Sequence, residues 1–292
     1  LNDYSIGIED VLKEHFDEEN IVYWMAFQIL MGNVDTQNRN VYLYSPLNSD
    51  IWYFIAWDND GCLMRPEYEL RNFSDQNSWE KGISNYWGNI LFQRCLKSRS
   101  FREKLNDAIL DLREYLNKDM LTSKIESYKN VLKPYLYLMP DAEYEPLTSE
   151  QYDQIAASLP DEIEKNYQLY LESLETPMPF YIGVPTIDGD KLKFNWDVSY
   201  DLDAEDITYS VEVAGDYLFR DVIYQNTTLT VPEAEMDLPK AGQYFVRVRA
   251  TNTSGKTQDA FDYYVTDEGK YYGMRCFYIT EDSTVEEDDY EE

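Results

Sequence analysis

Two short polar clusters stand at the ends of apolar segments early in the chain: "GNVDTQNRNVYLY" at 32–44 and "WYFIAWDNDG" at 52–61. Asp35 and Asn40 are five positions apart in the first, and Asp58 follows Asp35 by 23 positions. Phosphoryl transfer to a protein hydroxyl calls for this set of groups. One carboxylate orients the nucleophile or accepts its proton. A carboxamide five residues later and a second carboxylate hold the divalent ions that neutralise a triphosphate. Asp35, Asn40 and Asp58 are therefore candidates to converge on one site, and their hard oxygen donors suit Mg²⁺ or Mn²⁺. Taken singly, each stretch also reads as turn and cap residues, because Asn and Asp satisfy local backbone groups in loops. Their joint spacing is what points to chemistry. Paired aspartates are compatible with glycoside hydrolysis too, without further support in the chain. "DNDG" lacks the twelve-residue loop and closing Glu of an EF-hand.

The elements that position these residues are legible around them. "DEENIVYWMAFQILMG" (17–32) predicts a helix with Asp17 as N-cap, acids in its first turn and Gly32 as its stop. Its apolar run, interrupted by Gln28, is too short to span a bilayer and reads as a buried helix. "VYLY", the turn "SPLNSD" and "IWYFIAW" predict a β-hairpin over 41–57 that folds Asn40 and Asp58 back toward each other. Helices return over "YWGNILFQRCLKS", "SFREKLNDAILDLREYLN" and "MLTSKIESYKNVLKPYLYL". A last one over 149–174 is expected to break or restart at Pro160. Residues 1–175 thus predict a mainly α domain with one small hairpin.

At "ETPMPFYIGVP" the apolar period changes to two, and three prolines predict an extended linker near 176–179. Six or seven short alternating strands follow, including "ITYSVEVA", "RDVIYQN", "TTLTVP" and "GQYFVRVRATN". Their turn signals recur every ~8–12 residues, which predicts an all-β sandwich of immunoglobulin or fibronectin type III kind over 176–266. Trp196 stands where such a module has its core tryptophan and Tyr244 where it has its corner tyrosine. Residues 267–292 read as a last strand or connector followed by an acidic tail. Eight acids and no base in the last twelve residues predict a solvated run.

Composition narrows the partners. With 56 acidic against 25 basic residues, the net charge of −31 repels phosphate backbones and anionic lipid, so neither nucleic acid nor a membrane surface is expected. Metal cations, basic protein segments and neutral sugars remain compatible. The three cysteines, Cys62, Cys95 and Cys276, are too scattered for a disulfide framework or a metal knuckle. The single histidine, His15, excludes a His-rich zinc site and reads as a surface helix end.

A helix ending in Gly32-Asn33-x-Asp35, then Asn38-x-Asn40, a "YLY" strand and "WYFI-x-WD-x-D-G" together resemble the spore coat protein H (CotH) kinase family over roughly residues 15–175. The resemblance implies the C-terminal lobe of an atypical protein kinase that uses ATP with Mg or Mn. It implies Asp35 as catalytic base, Asp58 as metal ligand and Asn40 as the second ligand. Asn38 and Asp60 also match family positions and are assigned to the nucleotide. The phosphate-anchoring lysine and its glutamate partner are expected in a small lobe before Leu1, so this stretch alone is expected to be inactive. The resemblance further implies a protein Ser/Thr substrate, cell-surface or spore-coat proteins as partners, and an extracellular location in a bacterium. The alternative is a non-catalytic surface adhesion or carbohydrate-binding protein whose kinase-like lobe has decayed, its tyrosine-rich sandwich stacking on sugars.

Overall fold

The computed structural model describes residues 1–37, 39–70, 79–267 and 269–287. The chain divides into two compact units, one of Leu1–Ser74 with Lys81–Leu171 and the other of Asp75–Glu80 with Glu172–Glu292. The first is helical and the second is built from antiparallel sheets.

The helical unit comprises α1 (Ile8–His15), α2 (Glu18–Met31), the strands β1 (Tyr42–Tyr44) and β2 (Tyr53–Ile55), then α3 (Arg65–Leu70), α4 (Ile90–Lys97), α5 (Arg99–Tyr115), α6 (Lys118–Leu136) and α7 (Ser149–Leu174). Helix α2 is apolar nearly all round, as a central buried helix must be, and it packs on α5. The Asp17 carboxylate accepts from the Asn20 amide at 2.9 Å, and Gly32 closes the helix with a left-handed φ of 60°. A Cβ added at Gly32 would sit 2.7 Å from Asn166 Nδ2. Gly32→Ala combines that clash with a left-handed backbone, so it should cost at least ~1–2 kcal/mol, read from chemical unfolding.

The hairpin is short, with Tyr42 opposite Ile55 and Tyr44 opposite Tyr53. Its second strand is fastened along α2. At one end the Asp17 amide donates to the Trp52 carbonyl at 3.1 Å and the Trp52 amide to the His15 carbonyl at 2.8 Å. Midway, the Asn20 side chain accepts from the Phe54 amide at 2.6 Å and donates to its carbonyl at 3.1 Å. Fifteen helical steps from Asp17 to Gly32 span about 23 Å at ~1.5 Å each. The chain from Trp52 follows that length, since Asn59 Oδ1 accepts from Gln28 Nε2 in the last turn of α2 at 3.0 Å. The two polar clusters therefore arrive at the same end of α2. Beneath them Trp24, Phe54, Tyr86 and Phe92 form a buried aromatic core with ring centroids 4.8–6.4 Å apart.

Pro160 does not break the last helix: Ser149–Leu174 is one element with the proline inside it. A proline forfeits one backbone bond. Buried packing by Ile163 and Tyr170 and the pairing of Glu162 hold the turns that follow it.

The second unit contains a three-stranded sheet, β3 (Thr186–Asp188), β4 (Lys191–Asn195) and β7 (Glu233–Asp237), in the order β3-β4-β7. Its larger sheet runs β13 (Val285–Glu287), β12 (Met274–Ile279), β8 (Gly242–Asn252), β5 (Ile207–Ala214), β6 (Val222–Leu229), with β9 (Thr257–Asp259) also pairing β8. A separate hairpin joins β10 (Tyr263–Thr266) to β11 (Gly269–Tyr272). Phe194, Trp196, Val211, Val248 and Phe277 share one buried core. Trp79 belongs to this unit and packs its ring 5.2 Å from Phe261 and 6.2 Å from Tyr272.

Three expectations need correction here. "RDVIYQN" and "TTLTVP" are not two strands, since β6 runs through both against one long partner, β5. Of the last strand or connector expected after Thr266, the strand is formed: β12 pairs β8 from Met274↔Arg247 to Ile279↔Gly242, and Phe277 is fully buried. Part of the acidic run is ordered as well, because β13 pairs β12 and Glu287 accepts from Arg275 at 2.7 Å. The third correction concerns the linker. The α7 helix ends at Leu174, but Thr176, Met178 and Phe180 are buried rather than exposed. The Met178 amide donates to the Tyr200 carbonyl at 2.8 Å, and Ser199 Oγ donates to the Met178 carbonyl at 2.6 Å. Proteases need an exposed, openable segment. Limited subtilisin digestion should therefore spare 176–180, and early cleavage there would contradict the burial.

Candidate functional site

The loop that leaves α2 is a 3₁₀ turn, Val34–Gln37, and it is held from below by hydrogen bonds to its backbone. Asn85 Nδ2 donates to the Val34 carbonyl at 3.3 Å and Asn89 Nδ2 to the Gln37 carbonyl at 3.4 Å. The buried hydroxyls of Thr36 and Tyr86 lie 3.0 Å apart. Burial pushes the Tyr86 phenol well above its ordinary range, partly offset by that hydrogen bond, so it stays protonated. Only the side chain of Asp35 projects from this clamped loop into solvent.

The second cluster forms a 3₁₀ turn, Asn59–Gly61, entered through Asp58 at a left-handed φ of 49°. The Cys62 amide donates to the Asn59 carbonyl at 3.2 Å, and the Leu63 amide donates back to the Met31 carbonyl of α2 at 2.8 Å. Gly61 lies directly against the first loop: a Cβ there would fall 3.0 Å from Asn33 Oδ1 and 3.4 Å from Asp35 Oδ2. The Asp35 carboxylate and the turn that begins at Asp58 are thus immediate neighbours.

Asn40 also has a left-handed backbone, φ 54°. It stands two residues before Tyr42, and Asp58 stands three residues after Ile55, the residue paired with Tyr42. Both therefore flank the open end of the hairpin, where the Tyr42 and Trp57 rings are 5.0 Å apart. Asp60 is exposed on the same turn as Asp58. Asn38 lies outside the described residues.

The carboxylates of Asp35, Asp58 and Asp60 are exposed and take no hydrogen bond or ion pair from any described residue. Elsewhere in a chain of this charge many acids are tied to lysines and arginines. Among the described residues, no group of three His, Cys, Asp or Glu side chains is placed to hold a metal ion unaided. Burial and the charge of Asp60 push the Cys62 thiol up to about 12 despite the nearby Asn33 carboxamide.

Three residues of this region carry no role in the sequence reading: Gln28, Asn33 and Asn59. Gln28 is the lone polar residue in "IVYWMAFQILM", and it is 1 % exposed. That anomaly, a buried carboxamide in an apolar helix, was the available signal. Its partners lie 5 and 31 positions away, which no local pattern discloses.

The helical unit brings two polar loops together at the end of a central helix. The family model described as CotH kinase protein matches residues 1–170, and the chain belongs to that family. No curated protein matches the chain. Among solved structures, domains 1–6 of the surface layer protein SbsC align over 94 % of this chain and 38 % of that one, at 12 % identity and a TM-score of 0.18. No helix among the described residues is long and apolar enough to cross a membrane.

Proposed function

We propose that this chain carries the catalytic loop and metal loop of an ATP-dependent protein kinase that phosphorylates Ser or Thr. The observation that carries the reading is the placement of the Asp35 carboxylate against the turn that starts at Asp58, with both acids exposed and unpaired among the described residues. Asp35 serves as the base that orients the hydroxyl nucleophile and takes its proton. Asp58, with Asn40 beside the hairpin's open end, holds the metal, and Asp60, with Asn38, serves the nucleotide.

The donor set fits Mg²⁺ or Mn²⁺. Magnesium is usually held by one or two carboxylates together with substrate phosphates and water, not by an all-protein cage. When bound with ATP, the ion supplies neutralisation of the charge on the transferred phosphoryl group. The residues then contribute position: a clamped 33–37 loop and an anchored 58–63 turn fix where the base and the ligand stand.

The same reading places the protein outside the cell, on a bacterial surface or spore coat, acting on a protein partner there. The second unit fits a fibronectin-like spacer. Its sheet orders, β3-β4-β7 and β6-β5-β8-β12, the buried Trp196, and a Tyr244 hydroxyl donating to the Lys240 carbonyl at 2.9 Å support that assignment. One observation favours the adhesion alternative. A pocket of about 300 Å³ in this unit is lined by Tyr181, Tyr263, Asp262 and Arg275, an aromatic and polar mixture suited to a sugar.

The deciding experiment incubates the protein at its full natural length with Mg²⁺ or Mn²⁺, labelled ATP and a Ser/Thr-rich acceptor. Metal-dependent transfer to protein supports the kinase reading. Absence of transfer, with oligosaccharide binding that survives Asp35→Ala, would replace it with adhesion.

A further inference from the structure

Gln28, Asn33 and Asn59 form a closed ring of carboxamides between α2, the Asp35 loop and the Asp58 turn. Asn33 Nδ2 donates to Gln28 Oε1 at 3.0 Å and reaches Asn59 Oδ1 at 3.3 Å. Gln28 Nε2 donates to the same Asn59 oxygen at 3.0 Å. The other end of Asn33, its Oδ1, accepts from the backbone amide of Asp35 at 3.3 Å. Gln28 and Asn33 are 1 % and 2 % exposed.

The bland account is that a buried loop needs its polar groups satisfied, and any neighbours would do. Two features exceed it. Gln28 creates a demand rather than meeting one, since an apolar side chain at that helix position would leave no backbone group unbonded. The ring also has a direction: Asn33 fixes the backbone of Asp35, Gln28 and Asn33 both hold the residue next to Asp58, and the remaining bond ties Asn33 to Gln28. The glycine at 61 completes the arrangement, because its missing side chain lets Asn33 and Asp35 approach the turn.

We infer that Gln28, Asn33 and Asn59 are positioning residues that set the register between the Asp35 carboxylate and the Asp58 ligand. This rests on the kinase reading above and goes beyond it by assigning residues that touch neither substrate nor metal. Asn33 is the hinge of the device, since one side chain ties together both loops. Gln28 anchors that hinge to the central, largely apolar helix α2. Misplacing a reacting group by about 1 Å can cost about 10²-fold in rate even when binding survives.

Gln28→Met is the informative change, because it removes both ring bonds at Gln28 while suiting a buried apolar helix. Its melting temperature is expected within a few degrees of wild type. Amide hydrogen exchange at Asp35 and Cys62 should accelerate at least ten-fold, with Ile21 and Phe54 unchanged. In the protein at full natural length, kcat should fall about 10²-fold while KM for the acceptor protein stays within about three-fold. Asn59→Ser, on the exposed side of the ring, should behave in the same way. Exchange at Asp35 and Cys62 that matches wild type in both variants overturns the inference. So does an unchanged kcat in an active enzyme. The kinase reading fails by a different result: a wild-type protein whose Asp35 and Gly61 amide signals are not broadened by Mn²⁺ with ATP, and which transfers no phosphate. In that case the exchange data still decide whether the ring holds the two loops together.

Discussion

In the protein at full natural length, Asp35→Ala should lower Mg²⁺- or Mn²⁺-dependent phosphate transfer by at least ~10²–10³-fold, and Asp58→Asn should do the same. The size follows from what each group does in the proposed reaction. Without Asp35 nothing orients the attacking hydroxyl or accepts its proton, and without the Asp58 charge the metal on the triphosphate is loosened. The choice of substitution at 58 matters. Its φ of 49° is left-handed, where alanine costs roughly 1–2 kcal/mol but asparagine is tolerated. Asp58→Asn therefore removes the charge and keeps the turn. Both side chains are exposed and unpaired among the described residues, so stability should move by no more than ~0.5 kcal/mol in either case. Initial rates at saturating ATP, beside melting curves of the same samples, check both halves of the expectation. Wild-type activity in Asp58→Asn would remove the metal role from this residue.

The largest stability effect is expected at a different place. Glu162 on α7 is fully buried and receives Arg65 Nη1 at 2.9 Å, while Lys165 approaches its other oxygen at 2.6 Å. The second nitrogen of Arg65 donates to Asn166 Oδ1 at 2.7 Å, and Asn166 Nδ2 donates to the Leu30 carbonyl of α2 at 2.9 Å. One guanidinium thus ties the segment following the Asp58 turn to α7 and, through Asn166, to the end of α2. Arg65→Met leaves Glu162 in the core with only the half-exposed Lys165 for company. Stranding one member of a buried pair typically costs ~3–5 kcal/mol, a large part of the ~5–15 kcal/mol that holds a domain folded. Denaturant unfolding followed by the helical circular dichroism signal should show the midpoint falling by that amount at unchanged slope. Replacing both partners, Arg65→Met with Glu162→Met, should recover part of the loss, because the stranded charge is gone. A single-variant cost under about 1 kcal/mol would mean that Lys165 and water already satisfy Glu162.

Local signals fixed much of what this chain is. The helix over 18–31 was legible from Asp17, the acids behind it and Gly32, because caps act within one turn of the residues that make them. The hairpin was legible from two aromatic runs around a turn, and β5 and β8 fell where period-two alternation put them. The spacing of Asp35, Asn40 and Asp58 named the candidate chemistry. What lay beyond the sequence were the interactions between distant segments. Whether Pro160 breaks a helix depends on packing around Ile163 and Tyr170, not on the proline alone. Residues 274–279 join the sheet because β8 offers them a partner some 30 positions earlier in the chain, and the acidic run after them pairs in turn on β12. The ring of Gln28, Asn33 and Asn59 exists only because the segment from Trp52 to Asn59 runs alongside α2 and ends beside Gln28. Sequence determined which groups are present and what they can do. The tertiary fold decided which of them meet, since contact between residues far apart in the chain depends on the closure of loops, and no local preference encodes that.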